Sequence, residues 1–328
     1  MIHSTKPLAF AAAAAVLAAG LATAQAAEKW DMPLAYAATN YHSENAAAFA
    51  KAVTEASGGE LEIVTHPSGS LFKGGEIFRA VRTGQAPIGE RLISALGNED
   101  AIFEVDALPF LATSFEDAMK LHEASLPAME KVLEEKGVKL LYAVPWPPQG
   151  LYNKNPVKSA ADMQGVKFRA YNAATSRLAE LMGAVPTKIE AAELAQAFAT
   201  GVADSMISSG STGYDRKIWE HVQYWYDVQA WLPKNMVVVN LDSWNALDPK
   251  LQAVVTEAAA TAQKNGWAKA QELADWYKEQ LAANGMTVEG PSDALRADFV
   301  RIGEQMTKEW LDRAGSGGQA VINAYKKM

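Results

Sequence analysis

An arginine lies near the end of a predicted strand in GVKFRAYNAAT, residues 165–175. Apolar and polar residues alternate from Val166 to Tyr171, which is the period of two expected of a β-strand, and a helical pattern follows Asn172. A guanidinium is always charged, and its paired N–H groups match the two oxygens of a carboxylate. Because a buried arginine without a partner is costly, Arg169 predicts either a site for an anionic ligand or an internal ion pair with an Asp or Glu.

The sequence carries no set of residues with the spacing of a catalytic or metal centre. It has no cysteine, and its five histidines are not spaced as ligands of one metal ion. No zinc-protease, hydrolase-nucleophile or phosphate-loop motif occurs, and GSGGQA (315–320) lacks the preceding strand of a nucleotide loop and is expected to be a flexible turn. The acids of NEDAIFEVD (98–106) lack the glycine and terminal glutamate of a calcium loop. We therefore expect no catalytic residue, no metal and no cofactor.

The composition limits the class of protein. The chain has 328 residues, of which 49% are hydrophobic, and this length suggests about two domains. The formal net charge is −8, which argues against a broad nucleic-acid-binding surface.

The N-terminal segment has the pattern of a secretory signal peptide. A short basic start precedes an apolar run from Leu8 to Ala24, and AQA (24–26) has the small residues of a cleavage site. The run is short and Ala-rich for a membrane anchor. We interpret residues 1–26 as a signal peptide that is removed on export, and we expect the processed protein in the periplasm.

Strand and helix patterns alternate in two stretches of the chain. Residues 29–92 have the order β-α-β-α-β, typical of an open and mostly parallel sheet. A helix (114–137) and an apolar strand (138–146) follow, and the alternation begins again over residues 165–209. A helical pattern then runs from Pro249 to Ala283, about 50 Å if continuous. Such a helix is long enough to cross from one domain to another.

These patterns predict two α/β domains that are joined by several chain crossings and a hinge, since no linker rich in Pro, Gly or Ser separates them. Crossings are expected near Trp146, Pro233 and Asp275. Domain I is predicted to comprise residues 27–146 and 233–274, and domain II residues 147–232 and 275–328.

Four segments carry a resemblance to a known family. They are PSGSLFKGGEIFRAVRTGQAPIG (67–89), FEVDALPFL (103–111), DMQGVKFRAYNAATSRLAELMGAVPTKIEAAELAQAFATGVADS (162–205) and LDPKLQ (247–252). The chain resembles the extracytoplasmic solute-binding subunits of tripartite ATP-independent periplasmic (TRAP) transporters, of the dicarboxylate-binding type. The resemblance covers nearly all of the processed chain, and the arginine after GVKF is its most specific mark.

The resemblance implies a two-domain periplasmic binding protein fold, with a hinge and a long helix that spans both domains. Arg169 matches the family arginine that makes a two-pronged contact with the acid group of the ligand. Other positions match the family pocket by segment: Tyr36, Tyr41 or His42 in the first loop, Glu90 and Arg91, Trp146 and Gln149, Tyr171 and Asn172, Ser208 and Ser209, and Asn235.

Two departures from the family bear on the ligand. Sialic-acid-type members carry a second arginine near the position of Gln149 in a polar run, whereas residues 146–152 here read WPPQGLY. Residues 204–213 read DSMISSGSTG where other members have a polar run with an acid and amides. A small organic acid is therefore expected rather than a sugar acid. Glu90 leaves an amine, amino alcohol or zwitterion open, with Arg169 paired to Glu90 and an aromatic wall around the cation.

The resemblance thus implies a monomeric binding protein that captures a small organic acid and delivers it to the membrane permease subunits of a TRAP transporter. A ligand-loaded partner of a membrane sensor would use the same cleft and stays open as an alternative. A periplasmic enzyme is disfavoured because the sequence supplies no catalytic set.

Overall fold

The computed structural model describes Met1 and residues 27–328, so the predicted signal peptide lies outside the described residues apart from Met1. Within residues 27–328 the helices and strands follow in the order β1 (Glu28–Pro33), α1 (Tyr41–Ala56), β2 (Leu61–His66), α2 (Ile77–Arg82), β3 (Ile88–Leu92), α3 (Phe115–Glu135), β4 (Val138–Pro145), β5 (Gln149–Asn153), β6 (Lys167–Ala170), α4 (Ala173–Leu181), β7 (Val185–Lys188), α5 (Leu194–Ala199), β8 (Ser205–Ser209), α6 (Gly210–Asp215), β9 (Tyr224–Tyr226), β10 (Lys234–Asn240), α7 (Leu241–Ala246), α8 (Pro249–Ala283), β11 (Thr287–Glu289) and α9 (Asp293–Tyr325).

The first sheet unit consists of β1 to β4 and β10. Strands β1 and β2 form a parallel pair, while β10 lies between β3 and β4 and is antiparallel to both. The prediction of a mostly parallel sheet over residues 29–92 is therefore right for the first two strands and wrong for the third. The reason is that the chain returns after Pro233 and inserts β10 beside β3, a pairing between segments far apart in the sequence.

The second sheet unit is a six-stranded sheet in the order β11-β9-β5-β8-β6-β7. Strand β6 is parallel to β7 and β8 on either side, as the alternation of strands and helices predicted. Strand β5 runs antiparallel to β8 and β9. The carboxyl ends of β6, β7 and β8 meet at one edge of this sheet, which is where open α/β sheets bind ligands.

Two chain crossings between the sheet units lie side by side and are hydrogen-bonded. The Trp146 N–H donates to the Pro233 carbonyl at 2.8 Å, and the Gln149 N–H donates to the Trp231 carbonyl at 3.0 Å. The Ala230 N–H in turn donates to the Gln149 carbonyl at 3.0 Å. The two crossings are thus an antiparallel ribbon, the element expected to act as the hinge.

A third connection is α8, whose bounds agree with the helix predicted from Pro249 to Ala283. Asp248 caps its N-terminus, with Pro249 in the first turn where a missing N–H costs nothing. The helix packs against α1 and β4 of the first sheet unit and against α6 and β11 of the second. The long domain-spanning helix of the predicted fold is therefore confirmed. None of the helices that the structure describes combines the length and apolar character of a membrane span.

The C-terminal helix α9 also contacts both sheet units. Its earlier part packs against α4 of the second unit, whereas Trp310, Val321 and Ile322 are buried in the core of the first. Gly315 has a φ of 57° and kinks the helix, at the position where a flexible turn was predicted. The segment after the kink packs on the first unit, whereas the predicted boundaries assigned residues 275–328 to domain II.

Candidate functional site

A cavity lies between the two sheet units, with about 470 Å³ of empty space when its opening to solvent is included. Its wall combines residues after β1 and on β3 with residues at the carboxyl ends of β6, β7 and β8 and on the two crossings. Eight of the sequence-predicted positions line it: Tyr36, Arg91, Trp146, Gln149, Arg169, Tyr171, Ser208 and Ser209.

Arg169 is one of two buried arginines that line this cavity. It lies on β6 between β7 and β8, and only 3% of its surface is exposed. Its Nε donates to the Ile189 carbonyl at 2.9 Å, and its guanidinium carbon lies 5.1 Å from the centre of the Tyr171 ring. Within residues 27–328 no acid forms a salt bridge with it, and its two terminal nitrogens have no protein partner. Burial lowers the pKa of Arg169 from its ordinary value, because the charged form is destabilised when it is buried without a countercharge.

The local sequence explains why this arginine is rigid. Asn172 caps α4 directly after β6, and its side chain accepts from the Thr175 N–H at 2.8 Å. The strand ends one residue after Arg169, at Ala170, and the helix begins four residues after it, at Ala173. A guanidinium held by a central strand and by its own Nε has its remaining donors fixed in direction.

Trp146 forms an aromatic wall of the cavity at the first crossing. Its ring packs against Tyr36, with centroids 4.7 Å apart, and against His42, with centroids 4.1 Å apart. Its indole N–H donates to the Asn235 side chain at 2.9 Å. Burial holds the pKa of His42 well below its usual value, so the imidazole in this packing is neutral.

Gln149 and Tyr171 form a second fixed group. The Gln149 Nε2 donates to the Pro147 carbonyl at 3.0 Å, and its Oε1 accepts from the Tyr171 hydroxyl at 3.4 Å. The Tyr171 hydroxyl itself accepts from the Trp231 indole N–H at 3.1 Å. Burial raises the pKa of Tyr171 above its ordinary value, so it stays a neutral donor. This network joins the cavity wall to both crossings.

An ion pair connects the two sheet units across the cavity. The Arg91 Nη1 on β3 lies 3.5 Å from the Glu190 Oε2, which follows β7. Arg91 is buried and Glu190 is about a third exposed. Arg91 is therefore in a salt bridge, whereas Arg169 forms none within residues 27–328, although the Glu190 carboxylate also attracts its charge.

Five predicted positions do not line the cavity, and His42, which packs against Trp146, is one of them. The Tyr41 hydroxyl donates to the Pro145 carbonyl, and the Asn172 amide donates to the Ser94 hydroxyl at 2.9 Å on the far side of the β6–α4 turn. Glu90 and Asn235 contact one another behind the wall, with the Asn235 Nδ2 donating to the Glu90 Oε1 at 3.0 Å. Glu90 does not pair with Arg169, in contrast to the arrangement considered for an amine ligand. Successive residues of a strand point to opposite faces, so Arg91 lines the cavity and its neighbour Glu90 does not.

Five lining residues were not predicted. They are Leu92, Glu190, Ala191, Thr212 and Pro233. Glu190 had a usable signal, because it is the last residue of a predicted strand (185–190) whose neighbour carries Arg169, and carboxyl ends of parallel strands share one edge. Thr212 lies in the first turn of α6, where its N–H donates to the capping Ser209 hydroxyl at 3.2 Å.

The chain matches the model of the family described as "Bacterial extracellular solute-binding protein, family 7" over residues 35–313. A marine-metagenome TRAP solute-binding protein, specific for pyroglutamate and crystallised with it, is 52% identical and has a TM-score of 0.91, with 92% of this chain and 99% of that chain covered. DctP6 of Bordetella pertussis, an extracytoplasmic solute receptor binding pyroglutamic acid, is 49% identical with a TM-score of 0.90, and covers 92% of this chain and 100% of its own. The ectoine/5-hydroxyectoine-binding periplasmic protein UehA of Ruegeria pomeroyi is 24% identical, over 97% of this chain and 95% of UehA. The chain therefore belongs to family 7 of the bacterial extracellular solute-binding proteins, and the resemblance to TRAP solute-binding subunits is confirmed.

Proposed function

We propose that this TRAP solute-binding protein captures pyroglutamate, a small cyclic organic acid, in the cavity between its two sheet units. The observation that carries this proposal is the buried guanidinium of Arg169, which faces the cavity without an acidic partner in the described chain. A ligand carboxylate would supply that partner through two parallel N–H···O contacts. The two relatives of about half-identical sequence that bind pyroglutamate support the choice of acid.

The balance of charge in the cavity favours an acid with a single negative charge. Arg91 is paired with Glu190, and Arg169 has no acid, so the lining carries one uncompensated positive charge. Pyroglutamate has one carboxylate, and its ring nitrogen is a neutral amide. A dicarboxylate would bring a second charge with no free cation to meet it, which is costly in a closed cleft.

The remaining lining suits a neutral amide ring. Trp146, Tyr36 and Tyr171 offer aromatic faces for the ring carbons. The hydroxyls of Ser208 and Ser209 can donate to the ring carbonyl or accept from the ring N–H. We assign the ring amide to the side of the cavity that these two serines form.

An amine or zwitterion is the less favoured ligand. It requires an acid that is free to meet a cation, and Glu190 is engaged by Arg91 while Glu90 lies behind the wall. The distant ectoine-binding relative, at 24% identity, carries no weight against this charge balance.

The proposal extends to export and partners. We propose that residues 1–26 are removed as a signal peptide, that the protein is monomeric in the periplasm, and that it passes its ligand to the permease subunits of a TRAP transporter. The extracellular family and the ligand-binding relatives support a binding role rather than catalysis.

A calorimetric titration of the dialysed protein with pyroglutamate tests the proposal. Two analogues isolate its parts: proline keeps the ring and the carboxylate but has a charged amine, and 2-pyrrolidone keeps the lactam without the acid. We expect pyroglutamate to bind at least about a hundredfold more tightly than either analogue, a difference of about 2.7 kcal/mol or more. Succinate binding more tightly than pyroglutamate would contradict the single-charge argument and the choice of ligand, while leaving the family assignment intact.

A further inference from the structure

Glu90 lies behind the cavity wall and begins a chain of three side chains that ends at Trp146. It is on β3, and only 2% of its surface is exposed. Its Oε1 accepts from the Asn235 Nδ2 at 3.0 Å, and the Asn235 Oδ1 accepts from the Trp146 indole N–H at 2.9 Å. Asn235 is on β10, between the strand of Glu90 and the strand that leads to Trp146, so the chain runs across the sheet.

The surroundings of Glu90 supply no countercharge. No Lys, Arg or His forms a salt bridge with it within residues 27–328, and Arg91 points to the opposite face of β3, where it meets Glu190. The titratable groups that interact electrostatically with Glu90 are the hydroxyls of Tyr36, which follows β1, of Tyr41 on α1 and of Tyr142 on β4, and all three are neutral donors. An ionised carboxylate in such a place would lose its hydration with no cation to replace it.

The direction of the Asn235 amide depends on Glu90. An amide has a donor end and an acceptor end, and the indole N–H of Trp146 is a donor only. With an acceptor at position 90, the NH₂ group of Asn235 turns to β3 and its oxygen turns to the indole. Without that acceptor, a buried NH₂ group would lack a partner, and the contact that fixes Trp146 would lose its support.

We propose that Glu90 is a positioning residue for the ligand cavity, acting as an uncharged carboxylic acid that orients Asn235 and thereby Trp146. The inference rests on the proposed function, since it concerns the binding of an anion in the same cavity. A neutral group behind the wall does not repel a ligand carboxylate, whereas an ionised one would.

The acid–base properties of this region agree with the geometry. Burial raises the pKa of Glu90 to about 8, and the hydrogen bond from Asn235 offsets only part of that shift. Burial raises the pKa of Tyr36 to about 12 and those of Tyr41 and Tyr142 well above their usual value. His42, beside Trp146, has a pKa well below its usual value. Among these described neighbours, Glu90 alone is expected to change its charge between pH 7 and pH 9.

The sign of the pH effect follows from linkage. A bound anion near Glu90 raises the pKa of Glu90 further, so the complex holds the proton more tightly than the free protein. Binding therefore weakens as the pH rises through the value of about 8 in the free protein. Between pH 7 and pH 9 the affinity for an anionic ligand should fall by about tenfold.

The first test is calorimetry with pyroglutamate on the wild type, Glu90→Ala, Glu90→Gln and a matched control, Glu62→Gln, whose residue is exposed on β2. We expect Glu90→Ala to bind about tenfold more weakly at pH 7, and Glu90→Gln to recover most of that loss because its amide oxygen still accepts from Asn235. Only the wild type and the control should weaken toward pH 9. A Glu90→Gln protein as weak as Glu90→Ala, or with the pH dependence of the wild type, would overturn the inference.

The second test needs no ligand and so separates this inference from the proposed function. Carbon NMR of the glutamate carboxyl groups should show one signal, absent from Glu90→Gln, that titrates above pH 7. The indole N–H signal of Trp146, identified by its loss in Trp146→Phe, should move with the same midpoint. A Glu90 signal that titrates in the ordinary range for glutamate, or an indole signal that does not follow it, would overturn the positioning role even if pyroglutamate binds.

Discussion

Replacement of Arg169 by methionine separates a ligand-binding arginine from a structural one. Methionine keeps much of the unbranched apolar volume and removes the charge and the planar set of donors. Because the guanidinium has no acidic partner in the described chain, the substitution leaves no protein carboxylate without a countercharge. The substitution should therefore weaken ligand binding without a comparable loss of stability.

The loss of affinity follows from the burial of Arg169. A two-pronged contact to a carboxylate contributes more binding free energy in a desolvated cleft than at the surface, and removal of one partner leaves the other charge buried without a countercharge. We expect a cost of roughly 2–5 kcal/mol, which is about a 30-fold to several-thousand-fold loss of affinity. Arg169→Lys should recover part of this loss, because an ammonium supplies the charge without the paired donors.

The stability of the ligand-free protein should not fall by a comparable amount. In the absence of ligand, Arg169 has one hydrogen bond, from its Nε to the Ile189 carbonyl, and is otherwise a desolvated charge. Its removal relieves that desolvation, so the free energy of unfolding of Arg169→Met should stay within about 1 kcal/mol of the wild type or rise.

Calorimetry with pyroglutamate and urea unfolding without it measure the two effects. Arg79→Met, at an exposed arginine on α2, is the matched control for the loss of one positive charge. The reasoning is refuted if Arg169→Met binds as tightly as the wild type while its unfolding free energy drops by several kcal/mol. That result would assign Arg169 to an internal ion pair rather than to the ligand.

Three further predictions follow from buried groups elsewhere. Lys234 and Asp106 form a fully buried ion pair at 3.3 Å beside the second crossing. Lys234→Met should therefore lower the free energy of unfolding, measured by urea titration, by about 3–5 kcal/mol, and a loss below about 1 kcal/mol would contradict this. Burial raises the pKa of Asp215 to about 6 and outweighs the opposing effect of the hydrogen bond that Asn40 donates to it across the cleft at 2.7 Å, so we expect a closed form that buries Asp215 to bind a proton more tightly than an open one. Without ligand, small-angle scattering should show a more compact protein at pH 5 than at pH 7, and Asp215→Asn should abolish the difference; an unchanged difference would show that another group is responsible. Gly150→Ala would place a methyl group against the buried indole ring of Trp225 on the neighbouring strand β9 and should lower the free energy of unfolding in urea by about 1–3 kcal/mol, whereas a neutral effect would mean that the ring can move.

Local sequence pattern predicted the helices and strands that local interactions determine. The helix from Pro249 to Ala283 has the predicted bounds because a capping aspartate, a first-turn proline and a long run of helix-forming residues all agree. Strand β10 was expected only as a returning segment, and its place between β3 and β4 was not, since that pairing joins residues far apart in the chain. The second half of α9 likewise packs on the first sheet unit because of its buried Trp310, which periodicity alone cannot reveal.

The candidate site shows the same limit at the level of single side chains. Residue type and position at the end of a strand left a ligand site or an internal ion pair open for Arg169, and the family resemblance selected the cavity that it lines. For Glu90 and Arg91 the sequence predicted both neighbours as pocket residues, and only the register of β3 against β10 decides which of them lines the cavity. Asn172 and Asn235 are polar and close to the cavity, but each is engaged by a group from a distant segment, Ser94 and Glu90 respectively. Such partners cannot be read from spacing.

The position of the cavity relative to the crossings gives a physical reason why a ligand could govern closure. Trp146, Gln149 and Pro233 line the cavity and are also the residues through which the two crossings are hydrogen-bonded. A hinge bend in this ribbon therefore moves the aromatic wall relative to Arg169 on β6. A ligand held between Arg169 and Trp146 makes both contacts only at one hinge angle, so its differential affinity favours the closed form over the open one. The Arg169 contact then limits the free energy that ligand binding can contribute to closure. In Arg169→Met, the compaction caused by the ligand should therefore decrease to the same extent as the affinity for the ligand.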